Sequence, residues 1–397
     1  MRVLMISWEY PPHIVGGLGK HVSELSPALV RKGIDLFLLT PAWAGGEPFE
    51  EVEGVKVYRV EPVREEGDIH TIAWKTNLRL QEKAQELWAI TGSFEIIHVH
   101  DWLTSFAGCA LKRSYKTPLI ATIHATERGR GRGYLHTHTS EAIHSTEWWL
   151  TYEAWRVICC SRHMAWEVRE YFQTPEDKID VIPNGVRTDR FDRWEGVDLT
   201  WFRNMYALPE EKIVLYVGRL VEEKGPQILL EAVPLILARF PLAKFVIVGT
   251  GHLLDHLKHR AWELGVAHKV LFTGFIPDED RDRLLKVADV AVFPSLYEPF
   301  GIVALEAMAA RCPVVVSEVG GLAEVVRHAE TGITVYPNNV ESLVWGILHT
   351  LENPHWAKMR VENAYREVVE KYNWDRIAEM TVGVYKRVWE ERQRVHW

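Results

Sequence analysis

The sharpest chemical signal in the sequence is the run Glu298-Pro299-Phe300-Gly301-Ile302-Val303-Ala304-Leu305-Glu306. It follows an apolar stretch and short loop, VAVFPSLY, and it opens a helical pattern. The N–H groups of Phe300, Gly301 and Ile302 would stand free at the helix start, where a phosphate binds. Two carboxylates beside that anion, Glu298 and Glu306, would be repelled by it. Their natural partners are neutral donors such as sugar or ribose hydroxyls. Paired glutamates also occur by chance, but here a strand end, a Pro, a Gly and a helix start coincide.

Arg219 and Lys224 lie in VGRLVEEKG, directly after another strand pattern that ends at Gly218. One cation at a strand end and a second just before a helix suit a diphosphate in the crevice above a parallel sheet. Taken alone they read equally as two solvated surface charges. Gly16-Gly17-Leu18-Gly19 follows the first apolar run and precedes a helix. Glycines there let a ligand approach the backbone, though the spacing is neither G-x-G-x-x-G nor a Walker loop, and a tight turn explains it as well. His98, His100, Asp101 and Trp102 end one strand pattern and His124 ends the next, so all face one sheet edge. His-x-His with Asp is also a metal-ligand combination, but the histidines are scattered rather than set at ligand spacing, and no metal site is expected.

Other signals carry less. Asp278-Glu279-Asp280 has the form of a metal-binding D-x-D, but its place before a helix makes it an acidic first turn. The segment ERGRGRGYLHTHTS, from Glu127, interleaves Arg and Gly and predicts a mobile loop, either solvated or closing over an anion or acceptor. TEWWLTYEAW, from Thr146, is aromatic, with packing as its expected role and stacking on sugar rings as the other. No G-x-S-x-G accompanies a Ser-His-Asp set, so a hydrolase triad has no support.

The elements that must position these residues are short apolar runs alternating with helix-period segments. RVLMIS, DLFLLT, EIIHVH, PLIATIH, RVICCS and KIDVIP read as strands in the first half; VKVYRV reads as part of an edge hairpin. IVLYVG, KFVIVG, KVLFTG, VAVFPS, PVVVS and GITVYP repeat the style in the second half. Continuous rather than alternating apolar runs mark strands buried on both faces. Leu18, Val22, Leu25 and Leu29 fall on one face of a helix. The pattern predicts an α/β protein of two doubly wound, Rossmann-like domains. The seam is expected after VIPNGV, giving residues 1–190 and 191–374, with a long terminal helix at about 375–397 returning to the first domain.

The 397 residues are enough for two such cores, and 47% hydrophobic with 25% charged content is that of a globular chain. The formal charge, 46 − 54 = −8, argues against nucleic acid and anionic membrane surfaces as partners. No apolar stretch reaches the roughly 18 residues of a membrane span, and the opening residues have the wrong flanks for a signal peptide. Four cysteines without a C-x-x-C pair read as buried reduced thiols in a cytoplasmic protein.

Together these residues resemble the retaining glycosyltransferases of family 4, with the two-Rossmann-domain GT-B architecture, and within them the glycogen and starch synthases. The resemblance spans nearly the whole chain, through SWEYPPHIVGGLGKHV, HVHDW, TIHATE, VIPNGV, VGRLVEEKG and the Glu298 to Glu306 run. It implies a nucleotide-diphospho-sugar donor, with Arg219 and Lys224 neutralising the diphosphate and Glu306 holding ribose hydroxyls. Glu298 would touch the transferred sugar, Phe300 to Ile302 would give N–H bonds, and Gly218 would border the donor. Gly16 and Gly17 would close on the phosphate from the other domain across a cleft. His124 would hydrogen-bond near the anomeric centre, Asp101 would shape the pocket wall and Asn184 would lie near the crevice. The family implies no cofactor and no metal, with front-face attack in which a leaving phosphate oxygen takes the acceptor proton.

One departure is that bacterial glycogen synthases carry K-x-G-G where this chain has Ile14-Val15-Gly16-Gly17. The resemblance points to glucose transfer from ADP- or UDP-glucose to an α-glucan. A sugar phosphate, a small sugar or a lipid-linked acceptor stays open, as does a non-catalytic carbohydrate-binding scaffold. The scaffold predicts loss of a donor cation or of the glutamate pair, and Arg219, Lys224, Glu298 and Glu306 are all present.

Overall fold

The computed structural model describes residues 1–64, 67–395 and 397. Among these, fourteen strands form two sheets, one in each of two units. The first unit comprises Met1–Gly185 together with Trp374–Trp397, and the second Val186–Asn373.

In the first unit the strands are β1 (Arg2–Ile6), β2 (Asp35–Pro41), β3 (Phe49–Val52), β4 (Val55–Val60), β5 (Ile96–His100), β6 (Leu119–Ile123), β7 (Arg156–Cys159) and β8 (Ile179–Val181). They lie in the order β3-β4-β2-β1-β5-β6-β7-β8. All neighbours are parallel except the edge hairpin β3–β4. Val3 stands opposite both Leu36 and Ile96, which puts β1 between β2 and β5 in register. Every residue of β5 and β6 is buried, including His98, His100 and Thr122, as strands covered on both faces require. The helix Gly17–Arg31 buries Leu18, Val22, Leu25 and Leu29. The helix Trp374–Arg394 lies against it, with Trp374, Ile377, Ala378, Val384, Tyr385 and Val388 in the same core as Val3, Met5 and Leu25. Arg31 to Asp375 (2.9 Å) and Lys32 to Glu379 (2.5 Å) flank that contact.

The second unit holds β9 (Lys212–Val217), β10 (Ala243–Val248), β11 (Val270–Gly274), β12 (Val290–Phe293), β13 (Val314–Ser317) and β14 (Ile333–Val335). Their order is β11-β10-β9-β12-β13-β14, all parallel. The order reverses between β9 and β12, and open α/β sheets bind ligands at the carboxyl ends beside such a reversal.

The units divide five residues before the seam read from the sequence. Arg190 pairs with Asp282 and Glu306 of the second unit, and Phe191 is fully buried, so 186–190 fold with the second unit. Trp374 belongs to the first unit's core rather than ending the second. The stretch without clear period contains two short helices, Asp189–Asp192 and Thr200–Arg203.

Candidate active site

In the second unit the carboxyl ends of β9 and β12 gather the charged residues. Gly218 and Arg219 follow β9, and Lys224 ends the single 3-10 turn Glu222–Lys224. The chain then turns into the helix Pro226–Arg239 through Gly225 at φ +71°, where a Cβ would lie 1.9 Å from the Pro294 carbonyl oxygen. Only glycine fits, and that close approach brings the Lys224 turn against the loop after β12. Lys224 Nζ donates to Glu298 Oε2 at 2.8 Å, with Ser295 Oγ on the same oxygen at 3.4 Å. The cation and the carboxylate assigned separate contacts thus hold each other. Arg219 similarly pairs with Glu223 at 2.7 Å, half exposed.

The helix Ile302–Ala309 starts at Gly301, with φ +104° and no side-chain cap. Ala304 and Leu305 N–H groups reach back to the Gly301 carbonyl at 3.0 and 3.3 Å. The N–H groups ahead of them, on Phe300, Gly301, Ile302 and Val303, have no acceptor within the helix. Glu306 is buried on this helix, and its Oε1 accepts from Arg190 Nη1 (3.2 Å) and Arg281 Nη2 (3.5 Å). Asp278, Glu279 and Asp280 form the first turn of the helix Asp278–Val287 and pair with Arg281 and Arg283 three or four residues on.

The first unit's carboxyl edge is different in kind. His98, His100 and His124 come from β5 and the end of β6, and His21 from the helix Gly17–Arg31 joins them. His98 Nδ1 meets the Tyr385 hydroxyl and its Nε2 the Thr122 hydroxyl, both at 2.7 Å. His100 Nδ1 lies 3.0 Å from His124 Nε2, and His21 Nδ1 lies 2.6 Å from Asn184 Oδ1. Burial pushes His98 and His124 down to about 3, and His21 and His100 well below the usual histidine range. All four rings are therefore neutral at physiological pH. Asp101 sits at φ +58°, ψ 175°, a region L-residues rarely occupy. The strained turn lets its Oδ1 accept the His124 backbone N–H at 2.6 Å. Burial pushes the Asp101 carboxyl up to about 6.

Two family models match the chain: Glycosyltransferase Family 4 over residues 15–190 and Glycosyl transferases group 1 over residues 201–367. A glycosyltransferase of Methanocaldococcus jannaschii, itself uncharacterized, is 44% identical over 97% of this chain and 98% of its own. The glycogen synthase of Mycobacterium tuberculosis is 35% identical, covering 97% of this chain and 94% of its own. The chain belongs to glycosyltransferase family 4. The architecture of this glycosyltransferase is GT-B: the sucrose-phosphate synthase of Thermosynechococcus elongatus aligns with a TM-score of 0.84 and 25% identity, over 98% of this chain and 99% of that one. Among the described residues, no helix is long and apolar enough to cross a membrane.

Several residues around the candidate site escape a linear reading. His21 lies 163 positions from the Asn184 it meets, and Arg190 lies 116 from Glu306. Glu9 lies in SWEYPP with no spacing signal of its own. Its Oε2 accepts the Val15 and Gly16 N–H groups at 2.8 and 3.1 Å, so the turn expected to receive phosphate already holds a carboxylate. The Arg/Gly segment after His124 is also more ordered than its composition predicts. Thr126 caps the short helix Glu127–Arg130, Glu147 accepts the Glu127 N–H, and Arg128 lies 4.9 Å from the Tyr171 ring centroid. In the aromatic segment, Trp148 (47% exposed) and Tyr152 (69%) stack on each other at the surface rather than packing inside.

Proposed function

We propose that this glycosyltransferase transfers glucose, with retention, from ADP- or UDP-glucose to an α-glucan, as a glycogen synthase does, and needs no metal. The observation that carries the reading is the Lys224–Glu298 pair at 2.8 Å, set beside the uncapped N-terminus of the helix Ile302–Ala309. A sugar diphosphate offers that group what it lacks. Its phosphates take Lys224, Arg219 and the free N–H groups, and its hydroxyls take Glu298 and Glu306. Gly218 borders the donor, Gly17 gives a further N–H bond, and Gly16 gives its own only when Glu9 Oε2 releases it. His124 meets the sugar near its anomeric carbon, held by Asp101, with Asn184 fixing His21 behind it.

In the front-face reaction the glucose C1–O bond to the diphosphate breaks as the acceptor hydroxyl attacks from the same side. A diphosphate oxygen takes the acceptor proton. The protein stabilises the departing charge and positions the acceptor. The full-length likeness to a glycogen synthase supports the glucan acceptor. A sugar-phosphate acceptor is the second reading, favoured by exposed Arg130 and Arg132 in the segment after His124. Four free, buried cysteines support a reducing cytoplasm as its compartment.

The test is nucleotide release from UDP-, ADP- and GDP-sugars in EDTA, with glycogen, with sugar phosphates and with neither, alongside Lys224→Ala. The reading expects release from a glucose donor that needs glycogen, survives EDTA and collapses in the variant. Release driven only by sugar phosphates moves the assignment to the second reading. A donor that neither turns over nor shifts the melting temperature overturns both.

A further inference from the structure

Three histidines from separate elements converge in the first unit: His21 from the helix Gly17–Arg31, His100 from the end of β5 and His124 just after β6. One side-chain nitrogen from each lies within 4.8 Å of the other two. The adjoining His98 supplies the contrast. Both of its nitrogens meet hydroxyls, on Tyr385 and Thr122, so it is complete as it stands. His21 Nε2 and His100 Nε2 are buried with no hydrogen-bond partner among the described residues. Leaving such a group unpaired costs about 1–3 kcal/mol, and few native sites tolerate two side by side.

The orientation of His21 is that of a ligand. Its Nδ1 faces the Asn184 side-chain oxygen at 2.6 Å, which only accepts, so Nδ1 carries the proton and the lone pair is on Nε2. Ligating histidines are commonly fixed through their second nitrogen in this way. Zinc bonds imidazole at about 2.0–2.1 Å, which sets tetrahedral ligand atoms about 3.3 Å apart. One nitrogen from each ring already lies within 4.8 Å of the others, so a closing movement of about 1.5 Å brings the set to that separation. The set is all imidazole, with no oxygen donor, which suits zinc and its neighbours and not magnesium or calcium.

We propose that His21, His100 and His124 form a binding site for one divalent cation of the zinc class, and that its capture withdraws His124 from the donor sugar. The binding claim stands by itself; the inhibitory claim rests on the transferase reading above. The cation is an inhibitor and not a cofactor: transfer proceeds without it and stops when it binds.

Full-length protein, stripped with a chelator and then freed of it, is titrated with zinc chloride by calorimetry, with magnesium chloride as the comparison. One zinc per chain and no magnesium signal are expected. His21→Gln and His100→Gln should weaken zinc binding at least tenfold. X-ray absorption at the zinc edge of the wild-type complex should show imidazole nitrogen neighbours near 2.0 Å. That spectrum decides the site even where a variant fails to fold. No stoichiometric zinc, binding unchanged in folded His21→Gln, or a spectrum dominated by sulfur or carboxylate neighbours overturns the site. Zinc should also suppress nucleotide release, and EDTA should restore it. Undiminished release from the zinc-loaded protein overturns the inhibitory half. A zinc-free protein that turns over no donor counts against the transferase reading instead, and the calorimetry still decides the site.

Discussion

The two units present their sheets' carboxyl edges in opposite electrostatic styles. In the second unit the charged groups are paired with each other: Lys224 with Glu298, Arg219 with Glu223, Arg190 and Arg281 with Glu306. In the first, four histidines are neutral and bonded to hydroxyls, an amide or each other. A doubly charged diphosphate needs the first style, because opposing charges must already be fixed where it arrives. A sugar ring needs the second, because charge aimed at neutral hydroxyls would cost desolvation without gain. One architecture used twice has therefore been given two chemistries by the side chains at its strand ends, its loops and the helices that follow.

The comparison breaks most visibly on the charged side. Lys224→Ala should lower kcat/KM for the sugar nucleotide by ~10² to 10³-fold, the range for one electrostatic donor, measured by nucleotide release. A loss below tenfold would mean that Lys224 serves Glu298 and not the donor. On the neutral side the expected loss is in stability. His98→Ala opens a cavity and strands the Tyr385 and Thr122 hydroxyls, so urea unfolding should show a drop of about 2–4 kcal/mol. A drop under about 1 kcal/mol would show that the histidine network is loosely packed.

A carboxylate drawn into the neutral side sharpens the contrast through pH. Burial raises the Glu147 carboxyl well above its ordinary range, so the folded state favours the protonated form. The stability it contributes is complete below about pH 4.5 and is lost as pH rises through the raised value. Glu147→Gln should flatten the melting-temperature profile over that rise, and an unchanged slope would remove Glu147 as its source. The smallest effect is expected at Glu9. Removing the carboxylate that sits on the Val15 and Gly16 N–H groups frees them for phosphate, so Glu9→Ala should lower donor KM roughly two- to fivefold, the worth of one charge at a helix start. A raised KM would show that Glu9 shapes the turn the donor needs.

The strands were legible because burial on both faces writes itself into consecutive residues: β1, β5 and β6 are mostly apolar, without the polar alternation of a half-exposed strand. The Lys224 and Glu298 to Glu306 segments were legible because local spacing places each of them at a strand end. What stayed hidden depends on partners far away in sequence. His21 looks like any helix residue until Asn184 and His124 arrive beside it, and Arg190 looks like a surface charge until Glu306 does. The Arg/Gly segment misled for a related reason. Its composition is that of a free loop, but Glu147 from the following helix binds its backbone.

The last helix also sets the order in which the protein can be made. The first unit begins at residue 1, yet its core includes Trp374, Ile377, Tyr385 and Val388. The second unit is one continuous stretch, Val186–Asn373. On the ribosome, where domains fold as units once they have emerged, the segment begun first is finished second. For the time it takes to synthesise the second unit, the first waits with an open groove along the helix Gly17–Arg31. A chain truncated before Trp374 would carry a complete second unit and a first-unit core lacking Trp374, Ile377, Tyr385 and Val388, leaving the kind of apolar surface that chaperones bind.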